Sequence, residues 1–111
     1  CPVITVGEGA VASMAAVILA CGDHRQVYRH TQVLIHQLMG GTGMAQQTDI
    51  EIAAQHTAAL RAELDELLAE HGNLSAQEFH ELTERDCWCN AKRALELGLV
   101  DEVIAPSKKA L

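Results

Sequence analysis

Apolar residues along the chain occur in short runs separated by turn-forming residues, a pattern that predicts alternating strands and helices. Residues 3–6, "VITV", form a β-branched run that ends at Gly7 and Gly9, so a buried strand and a tight turn are predicted there. A helix is predicted to begin near Ala12. Because nearly every residue from 13 to 20 is apolar, we expect this helix to be buried on all sides, in the middle of the molecule.

Three further apolar runs predict strands. Residues 26–28 and 32–36 carry alternating or continuous apolar positions, and the second run leads into the glycine-rich segment 39–44, which is predicted to be mobile. Residues 99–104, "LVDEVI", are predicted to be the last strand. Short apolar strands that alternate with helices are typical of the α/β class with a mostly parallel sheet.

The longest periodic segment runs from about residue 48 to residue 71. Thr48 and Glu51 have the spacing of a capping box, which predicts that a helix begins at Thr48. Apolar residues then recur every three or four positions, and charged residues such as Arg61 occupy the remaining positions. Because so small a domain can hardly cover so long an apolar stripe, we expect part of the stripe to stay uncovered.

Two shorter helices are predicted from the residues at their ends. Ser75 and Glu78 form a second capping box, which opens a short helix. Asn90 is placed to cap another helix, which Gly98 ends. After the last strand, residues 106–109 are a short polar tail.

Composition and charge narrow the classes of function. The chain has 111 residues, 49% of them hydrophobic, which suits one domain with a modest core. Fifteen acidic and eight basic side chains give a net charge of −7, so neither a nucleic acid nor an anionic membrane is an expected partner. The longest apolar run is too short to span a bilayer, and a soluble chain is expected. Four irregularly spaced cysteines favour a reducing, cytoplasmic compartment.

The candidate catalytic residues are Ser13, His36 and Asp86. Ser13 is predicted at a helix N-terminus after a strand, where free backbone amides can hold an oxyanion, and His36 ends a predicted strand. Serine, histidine and aspartate in this chain order are compatible with a catalytic triad. Residue chemistry alone leaves the alternatives open: an ordinary serine in a first helical turn, a core histidine and a solvated aspartate.

A metal or redox centre is a second candidate. Cys87 and Cys89 are two residues apart, and His71, His80 or Cys21 could be further ligands. The spacing does not match the paired C-x-x-C of structural zinc sites. Two thiols in a strand or loop are therefore the favoured interpretation, and no metal is predicted.

Three segments of the chain form an ordered set of motifs. "GEGAVASMAAVILACG" (residues 7–22) is similar to G-x-A-A-S-M-A-A-x-x-L-x-A-G, and "VLIHQLMGGTGMAQQTDIEI" (33–52) to V-M-I-H-Q-P-x-G-G followed by A-T-D-I-E-I. "LTERDCWCNAKRALELGLVDEVI" (82–104) is similar to D-T-x-R-D-x-x-x-S-A-x-E-A-x-E-Y-G-L-I-D-x-V-I. These are motifs of the ClpP family, the proteolytic subunit of the Clp protease, and they cover nearly all of the chain.

The resemblance assigns catalytic roles by position. Ser13 matches the nucleophile of these serine peptidases, His36 the general base, and Asp86 the carboxylate that orients the imidazole. The amide of Met14 matches one oxyanion donor. The implied reaction is hydrolysis of peptide bonds through an acyl-enzyme.

The resemblance also implies a fold, partners and a location. The fold is the crotonase-like one of repeated β-β-α units, and the helix over about 48–71 corresponds to the handle through which two seven-membered rings meet, in a stacked tetradecamer. Gly40 and Gly41 lie in the loop beside the substrate cleft, where an extended peptide pairs with the chain. Unfolded polypeptides would be delivered by an AAA+ unfoldase ring that uses the ATP, so no cofactor is expected on this chain. The location is the cytoplasm, or an organelle matrix or stroma.

The chain departs from the family pattern in several places. Leu38 stands where the family has proline, the segment between Gly22 and His36 is slightly shorter, and "CWCN" follows Asp86 in place of an aromatic-aliphatic segment. The N-terminal half of the family, with the turn that supplies the other oxyanion donor, has no counterpart. We therefore expect residues 1–111 to be a single peptidase domain that corresponds to the second half of such a subunit.

Two alternatives remain beside an active peptidase. One is a catalytically silent, structural or regulatory subunit of a mixed ring, which the altered segments and the missing half would suit. The other is an acyl-CoA enzyme or a phage-type maturation protease of the same broad fold. The presence of Ser13 together with His36 and Asp86 favours peptide hydrolysis.

Overall fold

The structure is a computed structural model that describes residues 1–105. It contains six strands and four helices in these residues. In chain order they are β1 (Ile4–Gly7), β2 (Ala10–Ala12), α1 (Met14–Ala20), β3 (His24–Tyr28), β4 (Gln32–Ile35), α2 (Gln47–His71), α3 (Ala76–Leu82), β5 (Cys87–Asn90), α4 (Ala91–Glu96) and β6 (Glu102–Ile104). The polar tail predicted over residues 106–109 lies outside the described residues.

The strands form two three-stranded sheets. One has the order β1-β3-β6 and is parallel throughout; the other has the order β2-β4-β5, with β2 parallel and β5 antiparallel to β4. Two β-β-α units therefore follow each other, and each places one strand in each sheet. The predicted α/β class with a mostly parallel sheet is confirmed.

Pairing of β2 with β4 sets the position of the candidate site. Ala12 lies opposite Leu34 in the parallel register, and Ile35 lies opposite Cys87 of the antiparallel β5. The carboxyl ends of β2 and β4 and the amino end of β5 consequently meet at one edge of this sheet. The residues that follow β2 and β4, and the residue that precedes β5, are brought together there.

The core lies between the two sheets, α1, α4 and the inner end of α2. Its members are apolar and almost completely buried: Ala16, Leu19, Ala20, Val27, Val33, Ile35, Leu68, Phe79, Cys89, Ala91, Ala94, Leu97, Leu99 and Val100. The alanines of α1 and α4 let these helices approach the strands closely. The ends of β2 and β4 are thereby held on a packed base.

The prediction that α1 begins near Ala12 and is buried on all sides is wrong. Residues 10–12 form β2 instead, because pairing with β4 outweighs the helix propensity of alanine. α1 packs one face on the sheets, whereas Met14 is 50% and Ile18 62% exposed on its other side. No described element covers that side, so α1 lies at the surface of residues 1–105.

The long helix is confirmed, but its predicted cap is not. α2 has 25 residues, and its N-cap is Gln46, which makes no side-chain capping bond. Thr48 lies inside the first turn, so the capping box with Glu51 is not formed, and the preceding extended chain sets the start of the helix. Part of the predicted apolar stripe is uncovered, because Ile50 is 46% and Leu60 38% exposed. The structure measures 59 × 29 × 28 Å, with the helix accounting for its length.

The other predicted helix ends are confirmed. The Ser75 hydroxyl accepts a hydrogen bond from Glu78 N at 3.1 Å, and the Glu78 carboxylate accepts one from Ser75 N at 3.2 Å. The Asn90 side chain accepts from Arg93 N at 2.8 Å. Gly98 follows α4 with a φ of 74°, a conformation that glycine adopts without strain.

Arg25 joins the carboxyl ends of three helices. Its Nη1 shares its two N–H groups among the carbonyl oxygens of Ala20, His71 and Gly98, which lie 2.7–3.0 Å away, so the negative ends of α1 and α2 and the turn after α4 converge on one cation. Nε and Nη2 bind the Asp101 carboxylate at 3.1 and 2.7 Å. These hydrogen bonds, above all, lower the pKa of Asp101 to about 2.

None of the helices in residues 1–105 combines the length and the apolar composition that crossing a membrane requires.

Candidate functional site

Ser13 lies in a strained turn between β2 and α1. Its φ of 60° and ψ of −126° make it the one non-glycine residue with a positive φ in the described part of the chain. The Ser13 amide donates to Leu34 O of β4 at 3.0 Å, which fixes the turn on the neighbouring strand. A serine held in such a strand-turn-helix conformation presents its hydroxyl at the edge of the sheet, and strain of this kind concentrates at functional sites.

His36 directly contacts this serine. Because Ala12 lies opposite Leu34 in the parallel register, His36 is only one residue beyond the position opposite Ser13. Ser13 Oγ and His36 Nε2 are 2.6 Å apart, a hydrogen-bond distance. The structure thus brings two of the three predicted catalytic residues together.

The backbone carbonyl of Gln37 determines which ring nitrogen of a neutral His36 carries the proton. His36 Nδ1 is 2.6 Å from Gln37 O, and a carbonyl oxygen can only accept a hydrogen bond. The proton of a neutral His36 is therefore on Nδ1, and Nε2 offers its lone pair to the Ser13 hydroxyl. This is the tautomer that a general base needs.

Asp86 lies in the same cleft but is not bonded to His36. It immediately precedes β5 and, together with His36, Met39 and Arg85, lines a cleft of about 450 Å³. Asp86 is exposed, and across the described residues no hydrogen bond joins it to the imidazole. The Gln37 carbonyl oxygen, and not the Asp86 carboxylate, accepts the hydrogen bond from His36 Nδ1.

Met14 is the first residue of α1 and follows Ser13 directly. The first amides of a helix have no acceptor within the helix. The Met14 N–H is therefore free of intrahelical bonding and lies one peptide from the candidate nucleophile, as an oxyanion donor must. Its side chain is 50% exposed.

Gly40 and Gly41 line a larger cavity of about 490 Å³ between the loop after β4 and the helix α2. Much of the opposite wall is made of small and apolar side chains of α2: Ile50, Ala53, Ala54, Thr57 and Ala58. The cavity adjoins Gln37, the neighbour of His36. The predicted substrate-binding glycines therefore lie at a concave surface next to the Ser13–His36 pair.

The sequence pattern places Arg61 among the charged positions of the long helix and does not indicate a role for it in the site. Its guanidinium is instead mostly buried and donates to Gln37 Oε1 at 2.9 Å, to His80 O at 3.1 Å and to Glu84 Oε2 at 3.1 Å. Arg61 thereby ties the residue after His36 to the segment that leads to Asp86. A single arginine among the polar positions of an amphipathic helix carries no pattern from which this contact could be inferred.

Gln37 completes the same connection. Its amide donates to Thr83 O at 2.9 Å, and its side-chain Nε2 donates to Glu84 O at 2.8 Å. The loop after β4 and the residues before β5 are thus joined by backbone and side-chain hydrogen bonds. The histidine and the aspartate are carried by segments with a fixed separation.

The thiols and the other histidines do not converge. In residues 1–105 no three or more His, Cys, Asp or Glu side chains are placed to hold a metal ion. His80 Nδ1 instead contacts the buried Asp65 carboxylate at 2.7 Å. Cys87 and Cys89 contact each other through their sulfur atoms at 3.7 Å.

Comparison with known proteins identifies the family of the chain. The family model for Clp protease matches residues 1–107. The chain is 39% identical over 105 residues to an ATP-dependent Clp protease proteolytic subunit of Lactococcus lactis subsp. cremoris, a match that covers 92% of this chain and 53% of the relative. It is 42% identical over 104 residues to the protein of that name from Streptococcus pneumoniae, covering 91% and 53%.

The chain spans about half the length of the curated relatives it matches. The family match, by contrast, covers almost all of the chain and includes Ser13, His36 and Asp86. The chain therefore belongs to the Clp protease family.

Proposed function

We propose that the chain belongs to a serine peptidase in which Ser13 is the nucleophile, His36 the general base and Asp86 the carboxylate partner of the histidine. The contact of 2.6 Å between Ser13 Oγ and His36 Nε2 carries this proposal. The tautomer set by Gln37 O supports it, because only an unprotonated Nε2 can remove the serine proton.

The reaction is acyl transfer from the peptide to Ser13. Ser13 Oγ attacks the peptide carbonyl carbon while its proton passes to His36 Nε2. The Met14 amide hydrogen-bonds the oxyanion that forms. His36 then gives its proton to the leaving amine, and a water activated by the same nitrogen hydrolyses the acyl-enzyme.

Asp86 acts by moving to His36 Nδ1 in the working site. The cleft that both residues line gives the carboxylate room to approach. A carboxylate stabilises the imidazolium that forms during attack more strongly than the Gln37 carbonyl does, because it carries a full negative charge. The contact with Gln37 O is then the resting arrangement of the histidine.

The substrates are unfolded polypeptides bound in extended form. Such a peptide would pair with the backbone near Gly40 and Gly41 and place a side chain in the adjoining cavity, whose wall on α2 is largely apolar. The relatives are named as ATP-dependent. For this chain we assign ATP use to an AAA+ unfoldase partner, with no cofactor bound by the chain itself.

The exposed amino-terminal half of α2 is the proposed contact between two heptameric rings in a stacked tetradecamer. Ile50 is 46%, Ile52 57% and Leu60 38% exposed on this helix, and residues 52–60 carry no Asp, Glu, Lys or Arg. Burial of such residues between like subunits would remove them from water. The four free cysteines suit a reducing compartment, and we place the protein in the cytoplasm or in an organelle matrix or stroma.

The alternative is a catalytically silent subunit that only shapes a mixed ring. Such a subunit would not need a serine in a strained conformation or a histidine in the basic tautomer. The positive φ of Ser13 and its contact with His36 therefore support the active enzyme.

Hydrolysis of a fluorogenic peptide by the purified protein tests the proposal. Ser13→Ala should abolish hydrolysis, because no other group replaces the nucleophile. Ser75→Ala is the matched control, since Ser75 caps α3 away from the site. Equal hydrolysis by Ser13→Ala and the unmodified protein would refute the proposal, and an absence of hydrolysis by the unmodified protein would favour the silent subunit.

A further inference from the structure

Cys87 and Cys89 form a close thiol pair on β5. Because alternate residues of a strand share a face, both side chains point to the interior, and Trp88 between them is 60% exposed on the other side. Their sulfur atoms are 3.7 Å apart, so one thiol can donate a weak hydrogen bond to the other. Cys89 is completely buried, whereas Cys87 is only partly buried.

The two thiols differ in reactivity. Burial and the neighbouring Cys87 raise the pKa of Cys89 to about 12, so Cys89 is not the sulfur that reacts first with an oxidant. Cys87 is the sulfur that a small oxidant can reach from solvent. An accessible thiol beside a buried second thiol is the arrangement of an attacked and a resolving cysteine.

We propose that Cys87 and Cys89 are a redox site that a hydroperoxide converts to a disulfide within β5. Cys87 sulfur attacks hydrogen peroxide, the O–O bond breaks, and a sulfenic acid and one water form. Cys89 sulfur then attacks Cys87 sulfur, the S–O bond breaks, and the hydroxide leaves with the Cys89 proton as a second water. The two thiols lose two electrons and two protons in total, which the peroxide takes up.

Closure of this disulfide changes the geometry of β5. The sulfur atoms must approach from 3.7 Å to about 2 Å. Residues two apart in an extended strand have Cα atoms about 6.6 Å apart, near the upper limit for a disulfide, so closure has to shorten or kink the strand. β5 pairs with β4 at Ile35 and Val33, so the kink is transmitted to the ladder.

The kink lies between the two segments that carry the candidate catalytic residues. Asp86 directly precedes Cys87, and His36 directly follows Ile35, the partner of Cys87 in the register. Oxidation should therefore move Asp86 and His36 apart and lower the reactivity of Ser13. This consequence rests on the proposed peptidase function, whereas formation of the disulfide does not.

The sequence allows a disulfide between Cys87 and Cys89 to be detected directly. Residues 86–92 form one tryptic peptide that contains both cysteines, because cleavage follows Arg85 and Lys92 and no basic residue lies between. A disulfide within it lowers the peptide mass by two hydrogen atoms and blocks alkylation of both thiols. Trp88 is the single tryptophan of the chain and lies between the cysteines, so a disulfide formed there should quench the intrinsic fluorescence.

The experiment treats the purified protein with hydrogen peroxide and then with dithiothreitol. We expect the mass loss in peptide 86–92 and a fall in Trp88 fluorescence, both reversed by the reductant. Labelling of Ser13 by a fluorophosphonate should slow by a factor on the order of 10² while the disulfide is present. Cys87→Ser should abolish all three changes, and Cys1→Ser, which replaces an exposed thiol outside β5, should retain them.

The redox site would be overturned if both thiols of peptide 86–92 of the unmodified protein remained alkylatable after peroxide treatment, a result that needs no variant to fold. A disulfide that forms without changing the rate of Ser13 labelling would overturn the effect on the candidate catalytic residues. If the reduced protein does not react with the fluorophosphonate at all, the proposed peptidase function fails, and the mass change alone decides whether the redox site exists.

Discussion

The backbone conformation of Ser13 is the main source of strain in the candidate site. A non-glycine residue at φ 60° and ψ −126° carries strain of about 1–3 kcal/mol, which the hydrogen bond from its amide to Leu34 O and the packing of α1 maintain. The hydroxyl is thereby directed at His36 Nε2. The strain positions the nucleophile before any substrate binds.

This strain predicts a difference between two variants that both lack the hydroxyl. Ser13→Gly should be more stable than Ser13→Ala by about 1 kcal/mol, because glycine adopts a positive φ without the Cβ clash. Chemical denaturation of both variants measures the difference. Equal free energies of unfolding would show that the turn at Ser13 is not strained.

Asp86 allows a sharp test of which group orients His36. Asp86→Asn should lower kcat by roughly 10³-fold to 10⁴-fold if the carboxylate reaches Nδ1 in the working site, because the amide cannot stabilise the imidazolium in the same way. Asp23→Asn, at an exposed position between α1 and β3 that does not line the cleft, is the control. A loss of less than about tenfold would mean that Gln37 O alone holds the imidazole during catalysis.

At the residue scale, the sequence predicted Ser13 and His36 as candidate site residues, but it did not predict all of their contacts. Ser13 and His36 follow strands whose parallel register brings them together, and motif resemblance had named both. The contact of His36 Nδ1 with the neighbouring Gln37 carbonyl depends on loop geometry after β4. No spacing in the sequence encodes it.

At the element scale, α2 connects its own exposed amino-terminal half to the candidate site. Its inner half sends Arg61 to Gln37 Oε1 and to Glu84 Oε2, so the helix fixes the loops on both sides of the cleft. The Nε atom of Arg61 is buried without a hydrogen-bond partner, which lowers the stability of the fold. The hydrogen bonds from the other nitrogen atoms of Arg61 have to offset this loss of stability. Arg61 is therefore a positioning residue in the proposed enzyme.

Arg61→Lys should lower kcat about tenfold with little change in KM, because lysine keeps the charge but cannot bind two partners with a planar fork. Arg93→Lys, in an exposed pair with Glu96 on α4, is the matched control and should leave both constants unchanged. Steady-state hydrolysis of a fluorogenic peptide measures the constants. An unchanged kcat for Arg61→Lys would assign the arginine to stability alone.

The helix caps depend on residues within one turn of the chain, whereas a short strand depends on the strand with which it pairs. The box at Ser75 and the cap at Asn90 formed as predicted, since each needs only residues within one turn. Thr48 failed as a cap because α2 begins at Gln47. Residues 10–12 became a strand because of a partner, β4, that lies twenty residues further along the chain.

At the scale of the whole molecule, Arg25 holds the described elements together. It binds the carboxyl ends of α1 and α2 and the turn after α4, and its charge is balanced by Asp101. Arg25 is 8% exposed, so the loss of its carboxylate partner leaves a cation in a largely buried position. We expect this pair to matter for global stability.

The pH dependence of stability tests this role. The folded pKa of Asp101, about 2, lies below its ordinary value of 3.8, so the pair stabilises the fold above about pH 4 and the contribution is lost as the pH falls through about 2. Asp101→Asn should therefore lower the Tm at pH 7 and have a smaller effect near pH 2. The same Tm difference at both pH values would contradict the assignment.

The whole molecule also explains why α1 was predicted to be buried. Its sequence is apolar on all sides, yet Met14 and Ile18 are exposed in residues 1–105, and so are Ile4 and Val6 of β1. The curated relatives are about twice as long as the region that this chain matches. The apolar pattern of α1 therefore predicted a burial that residues 1–105 do not provide.

The central claim is that His36 activates Ser13 as a nucleophile, and covalent labelling with a fluorophosphonate tests it most directly. Residues 1–25 form one tryptic peptide in which Ser13 is the only serine, so the adduct can be located by mass spectrometry. We expect the adduct on Ser13 in the unmodified protein, a rate at least about a hundredfold lower in His36→Ala, and no adduct in Ser13→Ala. An unmodified Ser13, or a labelling rate that survives His36→Ala, would contradict the claim.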